Sequence, residues 1–125
     1  MIIADTDVLI DYLRGKEPIA ERIAIELKSA LKTTVSTRFE LLAGARKSQE
    51  LARVTDLLAV IGTIALDADS TDKAAEVRRN LERAGAPIGL ADSLIAGMAL
   101  RHRAMLLTRN RELFGRVAGL YLGME

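Results

Sequence analysis

Cysteine is absent from the 125 residues and histidine occurs once, and both facts narrow the chemistry that the chain can perform. Without cysteine there is no disulfide framework, thiol nucleophile or cysteine-based zinc site, and the chain suits a reducing cytoplasm. The single His102 excludes any metal motif with two histidines, and its position at the end of an apolar helical run predicts a structural or surface role. A metal site would therefore depend on oxygen ligands.

A strong net charge and a long apolar segment are also missing. The formal net charge of +1 gives no attraction of the whole molecule to nucleic acid, so any basic surface must be local. No uncharged apolar stretch approaches the roughly 20 residues of a membrane span, and the first residues lack the basic start of a signal peptide. We expect a cytoplasmic protein that begins at Met1, has no membrane segment and folds as a single domain over residues 1–125.

Short apolar runs alternate with longer segments of helical periodicity, which is the pattern of a parallel sheet covered by helices. Strands are predicted at residues 2–4, 34–36, 63–66, 105–108 and 120–122. Amphipathic helices are predicted in the segments 19–31 and 51–61. A more polar helix is expected at 69–84 and a strongly apolar one at 91–102. The predicted fold class is therefore α/β.

The carboxyl ends of parallel strands open on one edge of the sheet, where such folds bind their ligands. Several polar residues directly follow the predicted strands: Asp5, the segment from Ser36 to Glu40, Asp67, and the segment from Thr108 to Asn110. Acids that are distant in sequence are therefore expected to converge at this edge.

Asp5 follows the first strand with no intervening residue, and Asp7 and Asp11 come shortly after it. A helix cap is the simplest explanation for one such acid, because Asp or Thr at a strand-to-helix turn accepts hydrogen bonds from the first helical N–H groups. Thr6 or Asp7 fits that role, which leaves Asp5 without a structural explanation. We therefore interpret Asp5 as a functional acid.

Asp92 lies in a helical segment, 88–100, whose other residues are almost all apolar. An ionised carboxylate in such surroundings costs several kcal/mol unless positive charge compensates it. We favour a bound cation, and the N-terminus of the helix is the alternative. Glu40 falls in the first turns of a helix after the second strand, where a bound cation and neutralisation by Arg38 or Lys47 explain it equally well.

Asp5, Glu40 and Asp92 together offer only oxygen ligands, which suits a hard cation such as Mg²⁺, with Mn²⁺ as a substitute. Because Mg²⁺ keeps several waters and is held directly by one or two carboxylates, the remaining acid would act through water. Metal-assisted hydrolysis of a phosphodiester uses such a site to polarise the phosphate and to lower the pKa of the attacking water. We predict these three acids as metal-binding and catalytic residues.

A polar loop after the fourth strand brings basic side chains to the same edge. Arg109 and Arg111 lie in this loop, and arginine beside an acid cluster can hold a phosphate. We predict both as substrate-binding residues, together with Thr108 and Ser36.

Asn110 and Glu112 are both candidates for a further catalytic position in this loop. Residues two positions apart on a helix differ in direction by roughly 200°, so the two side chains cannot both face the metal. Asn110 is nearer the strand end, and we predict that it faces the site and orients a water molecule, whereas Glu112 points outward and pairs with Arg116. Capping of the helix 111–114 is the alternative role for Asn110.

Four stretches in this order resemble the PIN-domain nucleases and, among them, the VapC toxins of bacterial and archaeal toxin–antitoxin pairs. They are DTDVLIDYL at 5–13, the turn at 36–41, LADSLIA at 90–96 and LTRNRELF at 107–114. The resemblance implies a three-layer α/β/α PIN-like domain with a parallel sheet of about five strands. It also implies an acidic Mg²⁺ pocket in which Asp5, Glu40 and Asp92 match the acids of the family.

The resemblance further implies an activity and a set of partners. It implies Mg²⁺-dependent endonucleolytic cleavage of RNA, in toxins often tRNA, a homodimer, and inhibition by a small DNA-binding antitoxin whose tail covers the active site. Ala20, Ala24 and Ile25 widen the apolar surface of the helix at 19–31 beyond what core contact needs, which predicts a groove for that tail. Position 7, usually Asn in this family, is Asp7 here, which adds negative charge.

Two other functions remain open. The opening Asp-x-Asp partly resembles the haloacid-dehalogenase-type phosphatases, in which Asp5 would be the nucleophile, but Leu9 stands where that family has Thr or Val and the chain is short for such an enzyme. The second is a non-catalytic PIN-like domain that only binds a partner. Intact acids at Asp5, Glu40 and Asp92 argue against it, because unused buried carboxylates cost stability.

Overall fold

The computed structural model describes residues 1–123, which contain five β-strands that form one sheet. The strands are β1 (Ile2–Ala4), β2 (Lys32–Thr34), β3 (Gly62–Ile64), β4 (Met105–Leu107) and β5 (Tyr121–Leu122). Their order across the sheet is β3-β2-β1-β4-β5, and each neighbouring pair is parallel. The predicted α/β fold with a parallel sheet of about five strands is confirmed.

Helices cover both faces of this sheet. Within the same residues they are α1 (Thr6–Leu13), α2 (Ile19–Leu27), α3 (Val35–Gly44), α4 (Ser48–Val60), α5 (Ala68–Arg83), α6 (Leu90–Arg101) and α7 (Arg111–Phe114). Ile3 and Leu106 belong to the hydrophobic core beneath α5, α6 and α7, whereas Ala4 and Leu107 belong to the core beneath α1 to α4. Because alternate residues of a strand point to opposite faces, each central strand contributes to both cores. The result is a three-layer α/β/α arrangement.

The second strand was predicted two residues too far along the chain. Thr34 ends β2 and also caps α3, because its hydroxyl accepts a hydrogen bond from the N–H of Thr37 at 3.1 Å. Residues 35–36, predicted as strand, are therefore helical. Leu31, predicted as part of the preceding helix, lies beyond the end of α2 and is buried just before β2.

The other boundaries differ from the predictions by one to three residues, and the largest of these shifts is at α4, which begins at Ser48 rather than at residue 51. Helices α5 and α6 each begin and end one residue before the predicted positions. Strand β3 occupies residues 62–64 rather than 63–66, and β4 ends one residue before Thr108. These shifts leave each predicted polar residue at or just beyond the carboxyl end of its strand or in the helix that follows.

The closest helix packing in the fold joins α5 and α6. A Cβ atom added to Gly97 would lie 2.6 Å from the Cβ of Ala74 and 2.7 Å from its Cα, so only glycine allows the two backbones to approach this closely. The residues of α6 from Ile95 to Ala99 are buried. This burial explains why the sequence of α6 is apolar on nearly all sides.

Three further predictions concern the chain as a whole. His102 lies at the C-terminal cap of α6, the structural position that was predicted. Among residues 1–123, no helix combines the length and the hydrophobicity that crossing a membrane requires. The single domain over residues 1–125 stays a prediction, since residues 124–125 lie outside the described part of the chain.

Candidate active site

Asp5 lies between β1 and α1 with both carboxylate oxygens in hydrogen bonds. Its Oδ1 accepts a hydrogen bond from the N–H of Thr6 at 2.8 Å, and its Oδ2 accepts one from the hydroxyl of Thr108 at 2.7 Å. Asp5 itself is the N-cap of α1, so the expectation that Thr6 or Asp7 would provide the cap was wrong. The residue is only 6% exposed, which is unusual for an aspartate.

The electrostatic surroundings of Asp5 disfavour its ionised form. Burial is the largest influence and raises the pKa of Asp5 from 3.8 to about 6. The negative charges of Asp7 and Asp92 raise the pKa further, while the hydrogen bonds from Thr108 and Thr6 lower it. Desolvation and like charges together outweigh two well-formed hydrogen bonds. A cation at this position would therefore stabilise the carboxylate.

Asp92 lies in the first turn of α6 and is half-buried. Burial raises the pKa of Asp92, and the charges of Glu40 and Asp7 raise it further. The N-terminus of a helix favours a carboxylate, so the helix and a bound cation both stay possible explanations for Asp92. The charge of Asp92 raises the pKa of Asp5, and the charge of Glu40 raises the pKa of Asp92. The three predicted acids therefore lie near one another.

Glu40 lies on the exposed side of α3 and faces α1. Its Oε1 is 2.9 Å from the hydroxyl of Thr6, which can donate to it, and the same hydroxyl is 3.0 Å from that of Thr37. Arg38, considered as a neutralising partner for Glu40, instead donates to the hydroxyl of Thr63 at 3.2 Å. Glu40 is thus oriented toward the site by a threonine and not by Arg38.

The three acids do not form a closed metal cage. In the part of the chain that the structure describes, no three acidic or histidine side chains stand in an arrangement ready to ligate an ion. Carboxylates repel one another without a cation, and Mg²⁺ is held directly by only one or two of them, with water completing its shell. The chemistry of Asp5 and Asp92 fits direct ligation, and the exposed Glu40 fits a role through water.

The loop between β4 and α7 is anchored to Asp5 by Thr108. Thr108 is completely buried, and its hydroxyl both donates to Asp5 and accepts a hydrogen bond from the N–H of Asn110 at 3.1 Å. A hydroxyl engaged in this way acts on the acid rather than on a substrate. We therefore describe Thr108 as a residue that positions Asp5.

Asn110 and Glu112, the two candidates in this loop, have different surroundings. Glu112 is 90% exposed, and its Oε1 lies 3.6 Å from Nη2 of Arg116, which confirms the predicted outward ion pair. Asn110 occupies the N-cap position of α7 but makes no side-chain capping hydrogen bond. Capping therefore does not explain Asn110, and its inward orientation stays a prediction.

Arg109 is held by two aspartates of α1, and sequence reasoning missed this arrangement. Its N–H donates to Oδ2 of Asp7 at 3.1 Å, and its Nε lies 2.9 Å from Oδ2 of the buried Asp11. The second contact is an ion pair without the alignment of a hydrogen bond. The available signal was the spacing of Asp7 and Asp11, which puts both on one face of a helix.

The remaining predicted residues lie on helices that begin near this edge. Ser36 is half-buried in the first turn of α3, and Arg111 is the first residue of α7. Asp67, also expected at this edge, caps α5 by accepting a hydrogen bond from the N–H of Ser70 at 2.8 Å. The charges that act on Asp67 are those of Arg101 and His102, so it is electrostatically separate from Asp5, Glu40 and Asp92.

Two neighbouring clefts extend from Glu40 along α1. The first, of about 300 Å³, is lined by Glu40 and by apolar and charged residues of α1 and α4. The second, of about 510 Å³, shares Leu13 and Arg53 with the first and also includes Ala20. Of the three residues predicted to widen a groove, Ala20 lines this cleft, whereas Ala24 and Ile25 lie on the exposed side of α2.

The domain combines a parallel α/β fold with carboxylates that repel one another at the carboxyl edge of its sheet. Such a site suits a hard cation, and the fold and the site together define a nuclease-like class of protein. The PIN domain model matches residues 2–120, and the chain belongs to the PIN-domain family. Nucleases of this family are generally metal-dependent.

Two relatives of similar sequence are named as nucleases. The chain is 31% identical over 121 residues to the tRNA(fMet)-specific endonuclease VapC of Shigella flexneri, which covers 93% of this chain and 91% of the relative. It is 32% identical over 112 residues to ribonuclease VapC19 of Mycobacterium tuberculosis, with 88% and 89% covered.

Solved structures of toxin–antitoxin complexes share the fold. VapBC2 from Rickettsia felis, bound to a promoter DNA fragment, aligns with a TM-score of 0.90 at 25% identity, covering 100% of this chain and 99% of the other. DNA-bound VapBC from Salmonella typhimurium aligns with a TM-score of 0.89 at 28% identity, covering 98% and 96%. These alignments confirm the PIN fold that the sequence motifs had implied.

Proposed function

We propose that the chain is the endoribonuclease toxin of a VapBC-type toxin–antitoxin pair, which hydrolyses RNA phosphodiester bonds with the help of a metal ion. The observation that carries this proposal is the burial of Asp5 beside Asp92, which raises the pKa of Asp5 to about 6, at the carboxyl edge of a PIN domain. Such a carboxylate would only weaken the fold if it had no cationic partner. Relatives that are named endonuclease and ribonuclease support the same activity.

The residues of the proposed site have different roles in this reaction. Asp5 and Asp92 would hold the cation directly, with Glu40 acting through water. When bound, Mg²⁺, or Mn²⁺ in its place, supplies a Lewis acid that polarises the phosphate and lowers the pKa of the attacking water. Thr108 keeps the Asp5 carboxylate in one orientation, and the side-chain amide of Asn110 orients the attacking water.

The substrate class is RNA, and tRNA is the first candidate. Relatives from Shigella flexneri and Salmonella typhimurium are named tRNA(fMet)-specific endonucleases. Arg111 and Ser36 are proposed phosphate contacts, because both lie on helices that begin near the carboxyl edge. Arg109 was predicted for the same role, but its guanidinium contacts Asp11.

The partner is a small DNA-binding antitoxin, acting in the cytoplasm on a homodimer of this chain. Structural neighbours at 25% identity or more include VapBC assemblies, and two of them, from Rickettsia felis and Salmonella typhimurium, are bound to DNA. The two clefts beside α1 offer apolar walls with Glu40 at one end. A tail in these clefts could bring a basic side chain to the acids and displace the cation, which would inhibit cleavage.

The two alternative functions have unequal support. The haloacid-dehalogenase-type phosphatase is excluded, because the PIN model matches residues 2–120 and the chain aligns with a VapBC structure at a TM-score of 0.90. A non-catalytic PIN domain would share the fold, so activity itself must be measured to exclude it.

The test compares RNA cleavage by the purified chain in Mg²⁺ with cleavage in EDTA. Wild type should cut only with the metal, and Asp92→Asn should lose cutting because it removes a carboxylate near the proposed cation. Asp69→Asn is the matched control, since Asp69 is 71% exposed and pairs with Arg101 on the surface. Equal cleavage by Asp92→Asn and wild type, after contaminating ribonuclease is excluded, would contradict the proposal.

A further inference from the structure

Helix α1, with its cap Asp5, and the three-residue loop 108–110 are joined by three contacts. Asp5 accepts from the hydroxyl of Thr108 at 2.7 Å, and Asp7 accepts from the N–H of Arg109 at 3.1 Å. Asp11 completes the set through its ion pair with Nε of Arg109 at 2.9 Å. These contacts connect the first helix of the chain to a loop close to its other end.

Asp11 has the strictest requirement for a partner among these acids. Its side chain is 3% exposed, on a helix face shared with the buried Val8. A buried carboxylate that loses its cationic partner is strongly destabilised, and the ion pair described for Asp11 within residues 1–123 is the one with Arg109. The charge of Arg109 is therefore engaged by the protein itself, although its side chain is 47% exposed.

Arg109 lies in the loop between two residues of the proposed site, so its contact with Asp11 affects both of them. Thr108 precedes it and holds Asp5, and Asn110 follows it and donates its N–H to Thr108. Consecutive Cα atoms are fixed about 3.8 Å apart, so a displacement of Arg109 moves both neighbours. The ion pair lies outside the acids proposed to face the cation, and Arg109 is the chain neighbour of both Thr108 and Asn110.

We propose that Asp11 and Arg109 form a positioning pair, which holds Thr108 against Asp5 and Asn110 at the site, and that Arg109 does not bind the RNA phosphate. The effect on cleavage rests on the proposed endoribonuclease function, whereas the effect on loop geometry does not. The competing role is the one predicted from the sequence, in which Arg109 contacts the substrate.

The kinetic test uses Asp11→Asn, Arg109→Gln and the double variant. Single-turnover cleavage at saturating RNA and Mg²⁺ should fall on the order of 10- to 100-fold in each single variant, because small displacements of catalytic groups have effects of this size. The double variant should be no slower than the slower single variant, since both changes break one contact. Arg109→Lys, which keeps the charge near Asp11, should recover most of the rate.

RNA affinity separates positioning from phosphate binding. In EDTA, Arg109→Gln should bind RNA within about twofold of wild type, with the same dependence on salt, as measured by fluorescence anisotropy. A phosphate-binding Arg109 predicts weaker binding and a salt dependence reduced by about one counterion. It also predicts that Asp11→Asn, which frees the guanidinium, binds and cuts RNA at least as well as wild type. Either result would overturn the positioning pair.

A readout without RNA keeps the inference separate from the proposed function. Hydrogen exchange of the Arg109 and Asn110 amides, followed by NMR, should be at least tenfold faster in Asp11→Asn than in wild type, because the loop is released from α1. Arg78→Gln is the matched control, since Arg78 forms an exposed ion pair with Glu82 on α5 at 3.0 Å. Unchanged exchange in Asp11→Asn would overturn the inference even if wild type cuts RNA. Wild type that does not cut RNA would overturn only the proposed function.

Discussion

Asp5 and Asp67 occupy equivalent places in the chain but differ in their electrostatics. Each follows a strand of the same sheet and caps the next helix, Asp5 for α1 and Asp67 for α5. The hydrogen bond from the N–H of Ser70 lowers the pKa of Asp67, as expected for a helix cap. Burial raises the pKa of Asp5 to about 6 despite its capping bond. A cap alone therefore does not explain the raised pKa of Asp5, and this difference supports the proposal that Asp5 is a functional acid.

The position of the two strands in the sheet gives the physical reason for this difference. β1 is central and has β2 and β4 on either side, whereas β3 is at the edge of the sheet. The residue that follows a central strand is enclosed by the loops of its neighbours, here by Thr108 after β4 and by α3 after β2. The residue that follows an edge strand remains in solvent and can be satisfied by its own helix.

The largest expected difference between the two caps is in activity. Asp5→Asn should lower the rate of RNA cleavage by roughly 10²- to 10⁴-fold, because loss of a metal-holding carboxylate removes several kcal/mol of transition-state stabilisation. Asp67→Asn should cut RNA at the wild-type rate. Single-turnover cleavage in Mg²⁺ measures both, with circular dichroism as the check on folding. Equal losses in the two variants would mean that both aspartates act only on the fold.

The second difference concerns how stability depends on pH. Because the folded-state pKa of Asp5 is raised, the folded state binds its proton more tightly than the unfolded state does. Its favourable contribution is complete below about pH 3.8 and is lost as the pH rises through about 6. A rise of this size corresponds to roughly 3 kcal/mol. Asp67 has the opposite sign, because its lowered pKa contributes stability that is lost as the pH falls.

Chemical unfolding of the metal-free protein between pH 4 and pH 7 tests this sign. The free energy of unfolding of wild type should fall relative to that of Asp5→Asn as the pH rises, and Mg²⁺ should reverse the trend by binding only the folded form. Asp67→Asn should show no such relative gain at neutral pH. Parallel curves for wild type and Asp5→Asn would contradict the raised pKa of Asp5.

Much of this architecture could be predicted from the sequence because burial leaves a pattern. Apolar runs and helical periodicity placed most strand and helix boundaries within about two residues, although α4 begins three residues and α2 ends four residues before the predicted positions. Acids in apolar surroundings singled out Asp5 and Asp92 as candidates. Thr34 misled the prediction of β2, because a β-branched residue with a hydroxyl suits both the end of a strand and a helix cap. Its two roles coincide in the structure.

The contacts between distant residues could not be predicted in the same way. The pairing of Asp11 with Arg109 depends on β1 and β4 being neighbours, and nothing in the local pattern of either segment specifies this strand order. The contact of Thr6 with Glu40 likewise requires α1 and α3 to lie side by side. The sequence therefore singled out candidate residues for the chemistry but not the residues that contact them.

The packing of α5 against α6 differs from the active-site edge, because a substitution at this packing contact is expected to change stability and not activity. Gly97→Ala should destabilise the fold by about 1–3 kcal/mol, since the added methyl group would overlap Ala74. Gly44→Ala is the matched control, because a Cβ there meets nothing within 4 Å. Thermal unfolding measures both, and the cleavage rate per folded molecule should stay unchanged in Gly97→Ala. A wild-type melting temperature for Gly97→Ala would show that the helices can move apart at no cost.

The smallest expected difference is within the active-site edge itself, between Asn110 and Glu112. Asn110 is linked through its N–H to Thr108 and makes no capping bond, so its side chain is available to orient a water molecule. Glu112 is 90% exposed and pairs with Arg116 on the surface, where an ion pair contributes at most about 1 kcal/mol. Asn110→Ala should slow single-turnover cleavage at saturating Mg²⁺ by about tenfold, which is roughly 1.4 kcal/mol, with little change in stability. Glu112→Ala should be nearly silent in both measurements, and a larger loss of rate from Glu112→Ala would show that Glu112, and not Asn110, acts in the site.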